Sequence, residues 1–195
     1  MKAPRRIVTG HNAAGQSVVA IDTVMTPTIE KPELGVAFFE VWNTADSPVT
    51  VDNGADPTAA RGLQIEPPEQ GSIIRFVDFG PKQAVAAGAP AMTREMAQAA
   101  FALVGSAHAS TWKPGSPHPM MHRTESIDYG IVVHGEIVLV LDDGSRTHLK
   151  TGDVVVQRGT DHAWENPSET SPARMAFILL DGAFSPDVRK LIEKA

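Results

Sequence analysis

Residues 117–137 read PHPMMHRTESIDYGIVVHGEI and residues 152–166 read GDVVVQRGTDHAWEN. In the first stretch His118, Met120, His122, Thr124 and Asp128 all fall on one parity. Strand side chains alternate between two faces, so this set shares a face while Glu125 points away. The second stretch carries His162, Trp164 and Asn166 as another alternating set, just after the turn at Arg158-Gly159. Imidazoles and a carboxylate gathered on strands and separated by glycine turns are the parts of a metal site on a β-barrel.

Outward from these stretches, the C-terminal half reads as a meander. Strands are expected at Ile127–Val133 and Glu136–Leu141, around a turn at His134-Gly135, then at Arg146–Leu149, Val154–Gln157, His162–Asn166 and Arg174–Leu180. Ser185-Pro186 caps a last helix running through Lys194. Upstream, strands are expected near Arg6–Thr9, Ser17–Thr23, Gly35–Trp42 and Ser72–Phe79. Thr93–Val104 reads as a helix, with Thr93 as its cap, Glu95 at the positive end of its dipole and Gly105 as its stop. Glu136–Leu141 and Met175–Leu180 are apolar on both faces, so each should be covered on both sides. One face would line a barrel, and the other would meet the N-terminal strands or a second subunit.

Over roughly residues 110–182 these patterns resemble the two motifs of the cupin superfamily. The first family motif runs G-x5-H-x-H-x3,4-E-x6-G, and His122, Thr124, Asp128 and Gly135 fall on its spacing. The second runs G-x5-P-x-G-x2-H-x3-N, and Gly152, Gly159, His162 and Asn166 fall on it, with Gln157 at the proline position and one residue fewer after Gly152. The resemblance implies an all-β fold: a double-stranded β-helix, or jelly-roll-like, cupin barrel with an N-terminal β extension and two short helices. Residues 1–105 would be the extension and a helix packing on the barrel. Residues 106–195 would be the barrel core with the C-terminal helix, the whole forming one structural domain.

The resemblance also implies a ligand set. Metal-binding cupins hold one divalent ion with the histidines and acid of the first motif and the histidine of the second. Carried over by position, His122 and His162 remain, Asp128 stands for the acid, and Thr124 replaces one histidine. Two imidazoles and a carboxylate have the composition of the facial triad that holds Fe(II) with open positions; Mn, Ni and Zn are the other candidates. His118 is a candidate fourth ligand. His122, His162 and Asp128 are the candidate catalytic groups, and Trp164, Thr124, Met120 and Gln157 the candidate substrate contacts. Phe38, Trp42 and Arg75 could reach the barrel mouth.

Two functions stay open at this point. One is a metal-dependent enzyme acting on a small aromatic or carbonyl-containing molecule, by oxygenase-type or decarboxylase/isomerase-type chemistry. The other is a metal-free barrel that binds a small ligand, as a sensor or as an acid/base isomerase. Thr124 favours the second and the retained His122, Asp128 and His162 favour the first. Structural roles compete at each position: His122 and His162 as hydrogen-bonded core histidines, Asp128 as a carboxylate bound to backbone, Arg123 or Arg158, and Trp164 as core packing.

Composition narrows the rest. A net charge of -6 argues against a nucleic-acid partner, which needs a basic face. The absence of cysteine excludes disulfides, thiolate metal sites and a cysteine nucleophile. No apolar run reaches the ~20 residues of a membrane span, and MKAPRRIVTGHN lacks a signal peptide's apolar core, so no membrane partner and a cytoplasmic location are expected. No G-x-S-x-G elbow or G-x4-G-K-[ST] phosphate loop occurs. A homodimer is expected.

Overall fold

The reversals expected from the glycine turns are where the chain folds back on itself, and the strands between them assemble into two facing sheets. The structure, a computed structural model, describes residues 1–82 and 91–194. In chain order the elements are β1 (Arg5–His11), β2 (Ser17–Val24), β3 (Ile29–Lys31), β4 (Val36–Thr44), β5 (Ser72–Phe79), α1 (Arg94–Ala102), β6 (Ser126–His134), β7 (Glu136–Leu141), β8 (Arg146–Lys150), β9 (Val154–Arg158), β10 (His162–Glu165), β11 (Ala173–Asp181) and α2 (Pro186–Ile192). One sheet has the order β3-β4-β5-β11-β6-β9, the second β10-β7-β8, and β1-β2 form a separate hairpin. This is the all-β architecture expected of a double-stranded β-helix.

Strands β3, β4 and β5 extend the barrel's larger sheet edge to edge, through the antiparallel ladder of β5 on β11 from Ser72↔Leu180 to Phe79↔Ala173. At this seam the Arg174 guanidinium grips the Asp78 carboxylate with two hydrogen bonds, of 2.5 and 2.6 Å. It also lies near the Phe39 and Phe76 rings, 5.4 and 5.7 Å from their centroids.

Between the two sheets, Ile137, Leu139 and Leu149 pack on Ile73, Val77, Val132, Met175 and Phe177. The opposite face of β7 is covered from within the chain: Val138 and Val140 form a second cluster with Met121 and Ala163. No helix among the described residues is long and apolar enough to cross a membrane. On the outer face of β6 and β9, Tyr129, Val133, Val154 and Val156 are exposed.

A bulge in β4 decides which N-terminal side chains face inward. Glu40 pairs with Arg75 but Trp42 pairs with Ile74, so Val41 is the extra residue. Its carbonyl accepts a hydrogen bond from Arg6 Nη1 (3.2 Å) on the hairpin. Beyond the bulge the alternation is reversed. Phe38 and Arg75 therefore line the interior and Trp42 does not.

Helix α1 follows its local signals. The Thr93 side chain accepts from Met96 N (3.2 Å), and the Glu95 carboxyl is held below its usual range mainly by backbone hydrogen bonding at this terminus. The helix returns through Gly105 at φ +80, where a Cβ would lie 1.9 Å from the Leu63 carbonyl oxygen. Gly105→Ala should therefore destabilise the protein by on the order of 2 kcal/mol or more, because strain adds to the clash. Urea unfolding measures this, and an unchanged midpoint would refute it.

Candidate functional site

The even-numbered face of the first motif opens on a cavity of about 430 Å³ between the sheets, within the range of small-molecule sites. His118, Met120, His122, Thr124 and Asp128 all line it, as do His162 and Trp164 from β10. Glu125 points away, accepting from Phe184 N (2.6 Å) beside α2. The alternation expected along this stretch thus holds through the irregular segment that precedes β6.

At its centre, His122 and His162 face each other across the junction of the two sheets. Their backbones exchange two hydrogen bonds, His122 N to His162 O (2.9 Å) and His162 N to His122 O (3.0 Å). Their ring centroids are 4.2 Å apart. Each ring is oriented by its own chain: His122 Nδ1 lies 3.0 Å from the Met120 carbonyl and His162 Nδ1 2.9 Å from the Thr160 carbonyl. A carbonyl only accepts, so each Nδ1 carries the proton and each Nε2 keeps its lone pair. Burial lowers both pKa values, His162 well below the usual imidazole range, with the neighbouring His122 adding to the effect. Two neutral imidazoles with free Nε2 atoms result.

His118 differs. Its Nδ1 accepts from Met120 N (3.1 Å), which puts the ring proton on Nε2. A neutral His118 so held has no free lone pair, which argues against the expected fourth-ligand role. Asp128 is buried in a hydrogen-bonded series of its own: Ser126 Oγ donates to Asp128 Oδ1 (2.7 Å) and accepts from Thr124 Oγ1 (2.8 Å). Among the described residues no group of three or more His, Cys, Asp or Glu is placed to hold a metal ion. The triad His122, Asp128, His162 is therefore not gathered as a unit, although the imidazole pair is.

The remaining candidates divide. Trp164 meets the His162 ring edge-on at 5.4 Å and continues to Phe177 at 5.5 Å, while Phe101 of α1 lies 5.1 Å from His122. The tryptophan thus belongs both to the core and to the cavity wall. Gln157 does not line the cavity, although it is the register partner of Asp128. Its amide donates to the carbonyl and hydroxyl of Thr160, pinning the turn that presents His162. Arg158 is exposed and stays away from the site.

Reading the motifs leaves out a buried ion pair. Arg75, only 2% exposed, lines the cavity, and its Nε stands 2.9 Å from Glu40 Oε1. The approach is too oblique to form a hydrogen bond, so both atoms are in electrostatic contact only. Burial pushes the Glu40 carboxyl up, against the pull of Arg75. The sequence signal was an arginine on the inward parity of an apolar strand, alternating with Ile73 and Val77.

Burial also raises the Asp128 carboxyl from 3.8 to about 6, opposed by the Ser126 hydroxyl and by Arg75. A folded-state pKa above the unfolded one adds stability below about pH 4 that is lost as pH rises through about 6. The shift corresponds to about 3 kcal/mol. In chelator-treated protein, Asp128→Asn should therefore stabilise by up to about that amount near pH 7 and by little near pH 4. Urea unfolding at the two pH values checks this; an equal effect at both would show that burial does not govern the carboxyl.

With this geometry in hand, residues 109–179 match the Cupin domain family. Over 93% of its length the chain is 34% identical to the Phomopsin biosynthesis cluster protein C' of Diaporthe leptostromiformis, covering 80% of that protein. It is 32% identical to the cupin-domain-containing oxidoreductase virC of Hypocrea virens, over 90% of the chain and 75% of the relative. With fogC of Aspergillus ruber, which bears the same description, identity is 29% over 90% of the chain and 71% of the relative. The paired motifs, the two facing sheets and this similarity along nearly the whole length agree: the chain belongs to the cupin family.

Proposed function

We propose that the protein is a cupin oxidoreductase acting on a small aromatic or carbonyl-containing molecule bound between His122 and Arg75. The observation that carries this reading is the pair of neutral, pre-oriented imidazoles facing one aromatic-walled cavity. Such a site holds an apolar body by burial and orients it with a few polar groups. The relatives described as oxidoreductases support the reaction class. Fold alone would not, because cupin barrels host unrelated chemistries.

His122 and His162 are the residues that would hold a divalent ion, Fe(II) in the favoured case or Mn, Ni or Zn. A ring whose Nδ1–H is fixed by a carbonyl is the usual form of a metal-binding histidine. A bound ion would supply Lewis acidity toward a substrate oxygen and, for iron, electron transfer. The chain's own contributions are separate. Phe101, Trp164 and Phe177 exclude water and hold a ring. Asp128, buried beside Ser126, holds or releases a proton at its carboxyl oxygen close to neutral pH. A metal-free barrel using His162 as base and Asp128 as acid is the second reading, favoured by the lack, among the described residues, of a third ligand beside the pair.

Elemental analysis separates the two. The oxidoreductase reading expects about one equivalent of iron, manganese, nickel or zinc after anaerobic reconstitution, lost in both His122→Ala and His162→Ala with the melting curve largely retained. A parent that takes up no metal leaves the acid/base reading.

The protein is further proposed to be a homodimer that covers the outer face of β6 and β9. Its exposed Val154 and Val156, at 58% and 54%, form one apolar patch with Tyr129 and Val133. Light scattering should give twice the chain mass for the parent and a shift toward monomer for Val156→Lys. A monomeric parent would refute it.

A further inference from the structure

The strongest feature outside the histidine pair is the guanidinium buried in the cavity wall. Arg75 Nη2 donates to the Gln64 carbonyl (2.7 Å), and Nε is in contact with Glu40 without a hydrogen bond. Nη1 has no hydrogen-bond partner among the described residues. A buried guanidinium with donors left over is costly unless an acceptor completes it. Lys82, the other cation lining the cavity, is already engaged by Glu165 at 2.9 Å.

Register says what would complete it. Arg75 on β5 is the direct partner of Phe177 on β11, and directly paired residues project side by side from one face, about 5 Å apart. Phe177 meets the Trp164 ring at a tilt, and Trp164 meets His162 edge-on. The next inward partner of Phe177 is Gly130 on β6, where a Cβ would lie 3.1 Å from Met175 Cε and 3.2 Å from Phe177 Cε1. The sheet thus presents in one row a cation, an aromatic face and a position without a side chain. A ring laid on Phe177 and Trp164 has its edge toward Arg75 on one side and toward the imidazoles on the other.

From this arrangement we infer that Arg75 is the anion anchor of the cavity and that the substrate is an aromatic carboxylic acid, its carboxylate on the Arg75 guanidinium and its reactive end toward His122 and His162. Glu40, behind Arg75 on β4, then acts as a positioning residue that holds the guanidinium in place. The inference rests on reading this cavity as the substrate site. It assigns no reaction step.

The test uses benzoate and its neutral isostere benzamide, followed by titration calorimetry and by tryptophan fluorescence, since Trp164 lines the site. The parent should bind benzoate at least about tenfold more tightly than benzamide, because a charge-assisted, two-pronged contact is available only to the carboxylate. Equal affinities, or no benzoate binding at millimolar concentration, would overturn the assignment. Replacing both ion-pair members, Arg75→Met with Glu40→Gln, leaves neither partner of that pair charged and alone. It should abolish the preference while benzamide binding persists; a preference that survives would also overturn it. Arg75→Lys, which keeps the charge and loses the planar fork, should weaken benzoate several-fold and leave benzamide unchanged, and this variant decides the matter if the double variant does not fold. His162→Ala should keep the benzoate preference even where metal and turnover are lost. Failure of the oxidoreductase reading and failure of the Arg75 assignment are thereby told apart.

Discussion

The antiparallel ladder between β5 and β11 is the constraint on which the rest of the structure depends. It joins residues far apart in the chain and makes one six-stranded sheet out of two halves. Because side chains alternate with a period of 2, a slip of one residue would turn Arg75 outward and bring Asp78 into the cavity. The Arg174–Asp78 clamp opposes that slip, since the two are register partners only in the observed pairing. Removing one member of such a largely buried pair strands the other charge, which makes the clamp a strong determinant of register.

The second constraint is the bridge between His122 and His162. Its two backbone hydrogen bonds tie the segment before β6 to β10, so that the imidazoles meet where the sheets converge. The carbonyls of Met120 and Thr160 then set both tautomers, each from two residues upstream of its histidine. Asp128 lines the same cavity but is not gathered with the imidazoles into one ligand group. Its carboxyl is engaged instead by Ser126, which in turn accepts from Thr124.

Electrostatically the cavity is divided. One side carries imidazoles that burial keeps neutral, and the other a guanidinium that remains charged with Glu40 beside it. An apolar wall of Phe101, Trp164 and Phe177 separates and spans the two. Sites of this kind discriminate among ligands through their few buried polar groups, because an unmatched one is penalised heavily.

Much of this was legible in the amino-acid order because it depends on local rules. The β7 strand, the Gly135 turn, the capped α1 helix and the shared face of His118, Met120, His122 and Thr124 follow from alternation, turn chemistry and capping. The short β3 strand carried no such pattern. Gln157 occupies a motif position yet turns its amide to Thr160, a choice that depends on the turn it closes. Trp42 looked able to reach the barrel mouth, but the bulge at Val41 reverses its face, and that bulge is supported by Arg6 from a separate hairpin. By itself the sequence determined the alternation along the regular strands, the turns and the helix cap, because each is set by neighbours within a few residues. Only the tertiary structure decided that Arg75 enters the cavity, that Asp128 stands apart from the imidazoles and that His118 has no free lone pair. Those outcomes depend on sheet register and on which of several possible hydrogen-bond partners the packed backbone and side chains select, and alternation alone does not fix either.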